Sequence, residues 1–168
     1  LDAAKGIGML LTNGGKVTDY EKTAPKKESL PIIAIPTTAG TGSEATRYSV
    51  ITDTDRNIKM LLSTDGIIPK VAILDFAITK SLPSFMTAAT GMDALTHAIE
   101  SYLVGGLAHK VKPLMNFNPL TDTMGLEAAR LIYANLPTVL AHPDDIDARA
   151  QVKYGAMLAG IGMCPGGL

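Results

Sequence analysis

The chemistry of this chain is concentrated in Asp93 and His97. They lie in the run Ala88-Ala89-Thr90-Gly91-Met92-Asp93-Ala94-Leu95-Thr96-His97-Ala98-Ile99-Glu100, which reads as a helix. Side chains four residues apart share one helix face, about 5–6 Å apart at Cβ. A carboxylate oxygen and an imidazole nitrogen so placed suit one divalent cation. The same spacing also serves a plain charge-assisted surface pair. Two donors do not complete a site, since a catalytic metal usually takes three protein ligands or more. The flanking Ala88, Ala89, Ala94, Leu95, Ala98 and Ile99 predict a largely buried helix. A buried, ionised carboxylate needs a partner or a metal.

A second candidate is Thr37-Thr38-Ala39-Gly40-Thr41-Gly42-Ser43-Glu44-Ala45-Thr46. Glycine lets backbone N–H groups approach a phosphate or a ribose, and hydroxyls donate to it. No Gly-Lys-Ser/Thr follows, so this is not a Walker loop. It matches the dinucleotide fingerprint loosely: Ala45 stands for the third glycine, and a strand-like run follows where a long helix is expected. An ordinary turn is the alternative reading. Lys59 is either a solvated edge-strand lysine or a cation folded over that turn. His109 and His142 read as surface or capping histidines. Met86, Met92, Met115, Met124, Met157 and Met163 read as core filler.

These residues need elements to hold them. Apolar residues at helical spacing predict a helix over Asp2–Leu11, closed by Asn13-Gly14-Gly15. A polar, exposed connector over Lys16–Glu28 follows. Leu30–Ile35 and Val71–Leu74 read as buried strands of a parallel sheet; ligands bind at the carboxyl ends of such strands. Tyr48–Thr52 and Ile58–Leu62 read as two arms of a hairpin around Asp53–Asn57. From Ser81-Leu82-Pro83, with Ser81 as a cap, the patterns turn helical: Pro83–Thr87, Gly91–Leu103, Asp122–Leu136 ended by Pro137, and Asp144–Met163. Gly105–Pro119 reads as a loop. The boundary is expected near residue 80, with an α/β portion over 1–80 and an all-helical portion over 81–168.

Composition bounds the rest. The 168 residues are 46% apolar and 18% charged, which describes a globular chain with a real core. A net charge of −1 gives no support for nucleic-acid binding. The single cysteine, Cys164, fits a reducing compartment, so a cytoplasmic location is expected. No apolar run reaches the length of a membrane span. The chain opens without Met inside one helical pattern and stops just after another, so an internal piece of a longer protein is expected.

In this order the pieces resemble the iron-containing (group III) alcohol dehydrogenases, in particular the lactaldehyde reductase and 1,3-propanediol dehydrogenase branch. Asp2-Ala3-Ala4-Lys5 is similar to the helix after that family's glycine-rich phosphate loop. Ile35-Pro36-Thr37 to Thr46 is similar to its second nucleotide loop, and Gly91 to Glu100 to its metal-binding helix. The resemblance implies a dehydroquinate synthase-like architecture: an α/β dinucleotide-binding part, then a helical part, both incomplete here. It implies that Asp93 and His97 are two of four ligands to Fe²⁺ or Zn²⁺, with two histidines beyond Leu168. It implies that Thr37, Thr38, Thr41, Ser43 and Thr46 line NAD or NADP, that Lys59 contacts the nicotinamide-side ribose, and that Leu74 borders the adenosine half, where relatives commonly have proline in place of Phe76. The reaction implied is hydride transfer between a small primary alcohol or diol and the nicotinamide ring, with a metal that lowers the alcohol's pKa. Full-length relatives are expected to be homo-oligomers, without nucleic-acid or membrane partners. The long Gly105–Phe117 stretch leaves a hydroxyacid–oxoacid transhydrogenase open as an alternative. Two others are a metal-independent reductase, against which Asp93 and His97 count, and a non-catalytic fragment that needs a partner chain.

Overall fold

The computed structural model describes residues 1–111 and 119–164, and of residues 104–111 the backbone alone. The chain forms two compact units: Leu1–Ile35 with Ser43–Ile73, and Pro36–Gly42 with Leu74–Leu168.

The first unit is α/β. Helix α1 (Asp2–Asn13) ends on Gly14, whose φ of 75° is left-handed backbone that glycine adopts freely, and Gly14 N–H donates to Leu10 O. The connector over residues 16–28 is exposed or half-buried throughout, as its composition predicts. Strands β2 (Tyr48–Asp53) and β3 (Ile58–Ser63) form the expected antiparallel hairpin, with Asp53 opposite Ile58. Met9 of α1 packs with Met60, Leu62 and Ile67 in the core of this unit. Strands β1 (Ile33–Ala34) and β4 (Val71–Ala72) pair in parallel with each other, over two residues each.

Their burial differs from the expectation. Ile33, Ile35, Val71 and Ile73 are exposed, and only Ala34 of the two strands is buried. A continuous apolar run predicts cover on both faces, and among the described residues that cover is missing.

The second unit is helical. Helices α2 (Ser84–Val111), α3 (Pro119–Ala141) and α4 (Ile146–Gly162) pack on one another. Ala94, Ile132, Leu136, Val139, Ala148, Val152 and Ala156 form one apolar cluster, and Ala98, Ala128, Leu131, Leu158 and Ala159 another. Asp145 caps α4 by accepting from Ala148 N–H at 2.9 Å.

Several boundaries are corrected. The two helices expected over 83–87 and 91–103 are one, because Ala88, Ala89 and Thr90 do not interrupt a helix. Ser81 does not cap it; α2 starts at Ser84, directly after Pro83. The loop expected from Gly105 is helical as far as Val111, while residues 112–118, with Met115, and the side chain of His109 lie outside the described residues. Pro137 sits inside α3 rather than after it. The methionine expectation also changes. Met86 and Met92 are exposed, whereas among the described residues the fully buried methionines are Met9 and Met60. Met124 and Met157 are partly buried against the second helical cluster. His142 is exposed, as a surface histidine should be.

Candidate functional site

The helix α2 buries a narrow stripe, Thr87, Gly91, Ala94 and Ala98, spaced to face one side. The rest of its first half is exposed or half-buried, which corrects the expectation of a buried helix. Alanine and methionine here are helix formers first. Asp93 and His97 stand beside the stripe: the Asp93 side chain is 46% exposed and that of His97 21%. The carboxylate therefore does not need a partner on grounds of burial.

The two side chains do converge. His97 Nε2 lies 3.6 Å from Asp93 Oδ1. That is too long for a hydrogen bond. It is close to the separation of about 3.4 Å expected for two donors each about 2.1 Å from one tetrahedral ion. The other ring nitrogen, His97 Nδ1, is buried without a hydrogen-bond partner. That leaves Nε2 as the nitrogen that faces Asp93. The pair fits two positions of a cation's donor set. Among the described residues no group of three or more His, Cys, Asp or Glu gathers to complete it.

The threonine-rich stretch contributes to both units. Residues 36–42 belong to the helical one. There Gly42, at φ 62°, lies so close to Gly160 of α4 that a Cβ on Gly42 would stand 2.7 Å from the Gly160 Cα. Gly40 lies as close to Thr90 of α2. The turn is thus seated directly on the helices, one of which carries Asp93 and His97. Thr37 and Thr41 are exposed and Thr38 is half-buried.

Ser43 and Thr46 belong to the α/β unit and are buried. The Ser43 hydroxyl donates to Asp2 Oδ1 at 2.5 Å, and the other oxygen of Asp2 accepts from Val50 N–H at 2.8 Å. Lys5, with no exposure, donates from Nζ to Thr46 O and Tyr48 O, both at 2.8 Å. These side chains pin the segment to α1. Lys59 is exposed on β3, opposite Thr52, and Leu74 is half-buried.

Three side chains that build this region were not singled out from the sequence: Lys5, Arg149 and Lys153. Arg149 is 4% exposed and donates to Thr79 O and Pro143 O. Lys153 has no exposure and donates to Pro36 O and Asp75 O. A signal was available: each cation lies three or four residues from a buried apolar one, Lys5 from Met9, Arg149 from Val152 and Lys153 from Ala156, on one helix face.

The chain is similar to known proteins along nearly its whole length. The iron-containing alcohol dehydrogenase model matches residues 1–76, and the model for the C-terminal part of the Fe-containing alcohol dehydrogenase family matches residues 87–168. The NAD-dependent methanol dehydrogenase of Bacillus methanolicus is 42% identical over 168 residues, 99% of this chain and 42% of the relative. The probable alcohol dehydrogenase EutG of Escherichia coli (strain K12) is 40% identical over 169 residues, all of this chain and 40% of the relative. The crystal structure of sulfoacetaldehyde reductase from Bifidobacterium kashiwanohense, in complex with NAD+, superposes with a TM-score of 0.84 at 34% identity, over 98% of this chain and 42% of that one. The chain therefore spans about two fifths of the length of these relatives. With an α/β portion, a helical portion and a family match along both, the chain belongs to the iron-containing alcohol dehydrogenase family.

Proposed function

We propose that this chain is part of a metal-dependent, NAD(P)-linked dehydrogenase that moves hydride between a small primary alcohol or diol and the nicotinamide ring. The observation that carries the reading is the convergence of Asp93 and His97, in the same compact unit as the Thr37–Gly42 turn. Relatives named as NAD-dependent methanol dehydrogenase and 1,3-propanediol dehydrogenase support the substrate class.

In this reading residues 1–80 belong to the dinucleotide part and 81–168 to the helical, metal-binding part. Asp93 Oδ1 and His97 Nε2 hold Fe²⁺ or Zn²⁺. When bound, such a cation supplies Lewis-acid polarisation of the substrate oxygen. Thr37, Thr38 and Thr41 orient the nicotinamide dinucleotide, and Ser43, Thr46, Lys59 and Leu74 are the further candidates for cofactor contact. Their task is to hold the reacting carbons in near-attack geometry. The whole protein works in the cytoplasm on small molecules, as a homo-oligomer. No helix among the described residues is long and apolar enough to cross a membrane.

Cobalt(II) uptake tests the reading, because its visible absorption reports nitrogen and oxygen ligands. The chain is expected to bind Co²⁺ weakly, with about tenfold loss or more in Asp93→Ala and His97→Ala. Equal uptake by all three proteins would overturn the metal assignment. The 168-residue chain by itself is expected to lack normal turnover, since two ligands hold an ion less firmly than four. Turnover matching that of a full-length relative would refute this.

A further inference from the structure

We infer that Lys153 is a positioning residue for the cofactor: its Nζ ties together the two backbone segments expected to border the dinucleotide. This rests on the cofactor reading given above. Lys153 has no solvent exposure and lies on the buried face of α4, among Val152, Ala156 and Arg149. Its Nζ donates to Pro36 O and, at 2.9 Å, to Asp75 O. Pro36 immediately precedes Thr37 and Thr38. Asp75 immediately follows Leu74. In the sequence these segments are the chain leaving β1 and the chain leaving β4, some forty residues apart.

Pro36 has no N–H to offer, and Pro36 O and Asp75 O lie outside the β1–β4 ladder. Pro36 is buried, so its carbonyl needs a donor, and an unmet one costs more than a hydrogen bond contributes. The same lysine reaches on to Asp75 O of the exposed segment after Leu74, so one side chain of a third element joins the two. Its long stem also crosses the interior, where a shorter donor on α4 would fall short. Gly160, two turns along the same helix, takes the close contact of Gly42. Helix α4 therefore holds the turn at its start through Lys153 and at its end through Gly160. The turn's threonines are presented by a rigid helix rather than by loop conformation alone.

The test is Lys153→Met, which keeps an unbranched stem and removes the donors. Three readouts are taken on the purified chain: amide exchange, NADH binding by fluorescence titration, and Co²⁺ absorption at Asp93 and His97. The expected result is faster exchange confined to residues 37–42 and 76–78. NADH affinity falls about tenfold or more, as for an unmet buried acceptor, with Co²⁺ uptake unchanged. Exchange that rises equally through α2, α3 and α4, or NADH affinity equal to that of the unsubstituted chain, would overturn the inference. An unsubstituted chain that takes up Co²⁺ but no NADH would overturn the cofactor reading itself, and the role of Lys153 toward it. Should Lys153→Met fail to fold, Lys153→Gln, which keeps an N–H₂ group on a shorter stem, decides by the same readouts.

Discussion

At the scale of single residues, polar side chains in this chain do two separate jobs. Asp93 and His97 are presented outward, whereas Asp2, Lys5, Arg149 and Lys153 are spent on backbone groups. The sequence separates the two only in part, because a lysine looks the same whether its stem is solvated or buried. Asp53 shows how a local group feeds into stability. Its carboxylate accepts from the Arg56 side chain at 2.5 Å and from the backbone N–H of Arg56 and Asp55, and these bonds, the Arg56 side chain first, hold its pKa below the ordinary value. A carboxylate with a lowered folded pKa contributes stability above its unfolded value, and loses it as pH falls through the folded one. Asp53→Asn is therefore expected to lower urea stability at about pH 7 and to lower it less at about pH 2, as the carboxylate takes up its proton. An equal loss at both values would contradict the pairing.

At the scale of elements, helix interiors are where the sequence reading and the structure part most often. A proline was expected to end α3, yet Pro137 lies exposed within Pro119–Ala141. Proline removes one intrahelical bond, here the one to Tyr133 O, and the helix continues because Leu136 and Val139 on either side are buried in the core. Packing outweighs the local cost. Pro137→Ala restores the bond without touching the core, and is expected to raise stability by about 1–3 kcal/mol in urea unfolding. No gain would mean that the helix has already adjusted its carbonyls to the proline. The hairpin was the easier element: two apolar runs with a polar, charged turn between them leave one pairing, and Asn57 takes the left-handed φ of 54° that asparagine tolerates.

At the scale of the whole chain, the helical unit is built on close backbone approach. A Cβ on Gly160 would stand 2.8 Å from Gly42 O and 2.9 Å from Gly42 Cα, both backbone atoms with nowhere to go. A Cβ on Gly91 would instead meet the end of the Leu136 side chain, which has rotamers to use. Gly160→Ala should thus cost about 1–3 kcal/mol and weaken NADH binding, with Gly91→Ala costing less and offset by better helix propensity. Denaturant titration of the two variants ranks them, and the reverse order would show that the turn is not seated as described. The α/β unit poses the opposite condition: Ile33, Ile35, Val71 and Ile73 leave an apolar sheet surface open.

Composition and periodicity were enough for an α/β first half, the hairpin, two short strands of the parallel-sheet kind and a helical second half, because these follow from local preference and from which residues must avoid water. The i,i+4 spacing alone placed Asp93 and His97 on one face, since helix geometry does not depend on what surrounds it. Tertiary structure alone decided that Asp93 is half open rather than buried, and that Ser43 and Thr46 already serve the α/β unit. It alone decided that the threonine turn rides on the helices through Gly160 and Lys153. Burial and long-range hydrogen bonds depend on which segments meet, and residues more than a hundred positions apart carry no mark of that meeting in their own neighbourhoods.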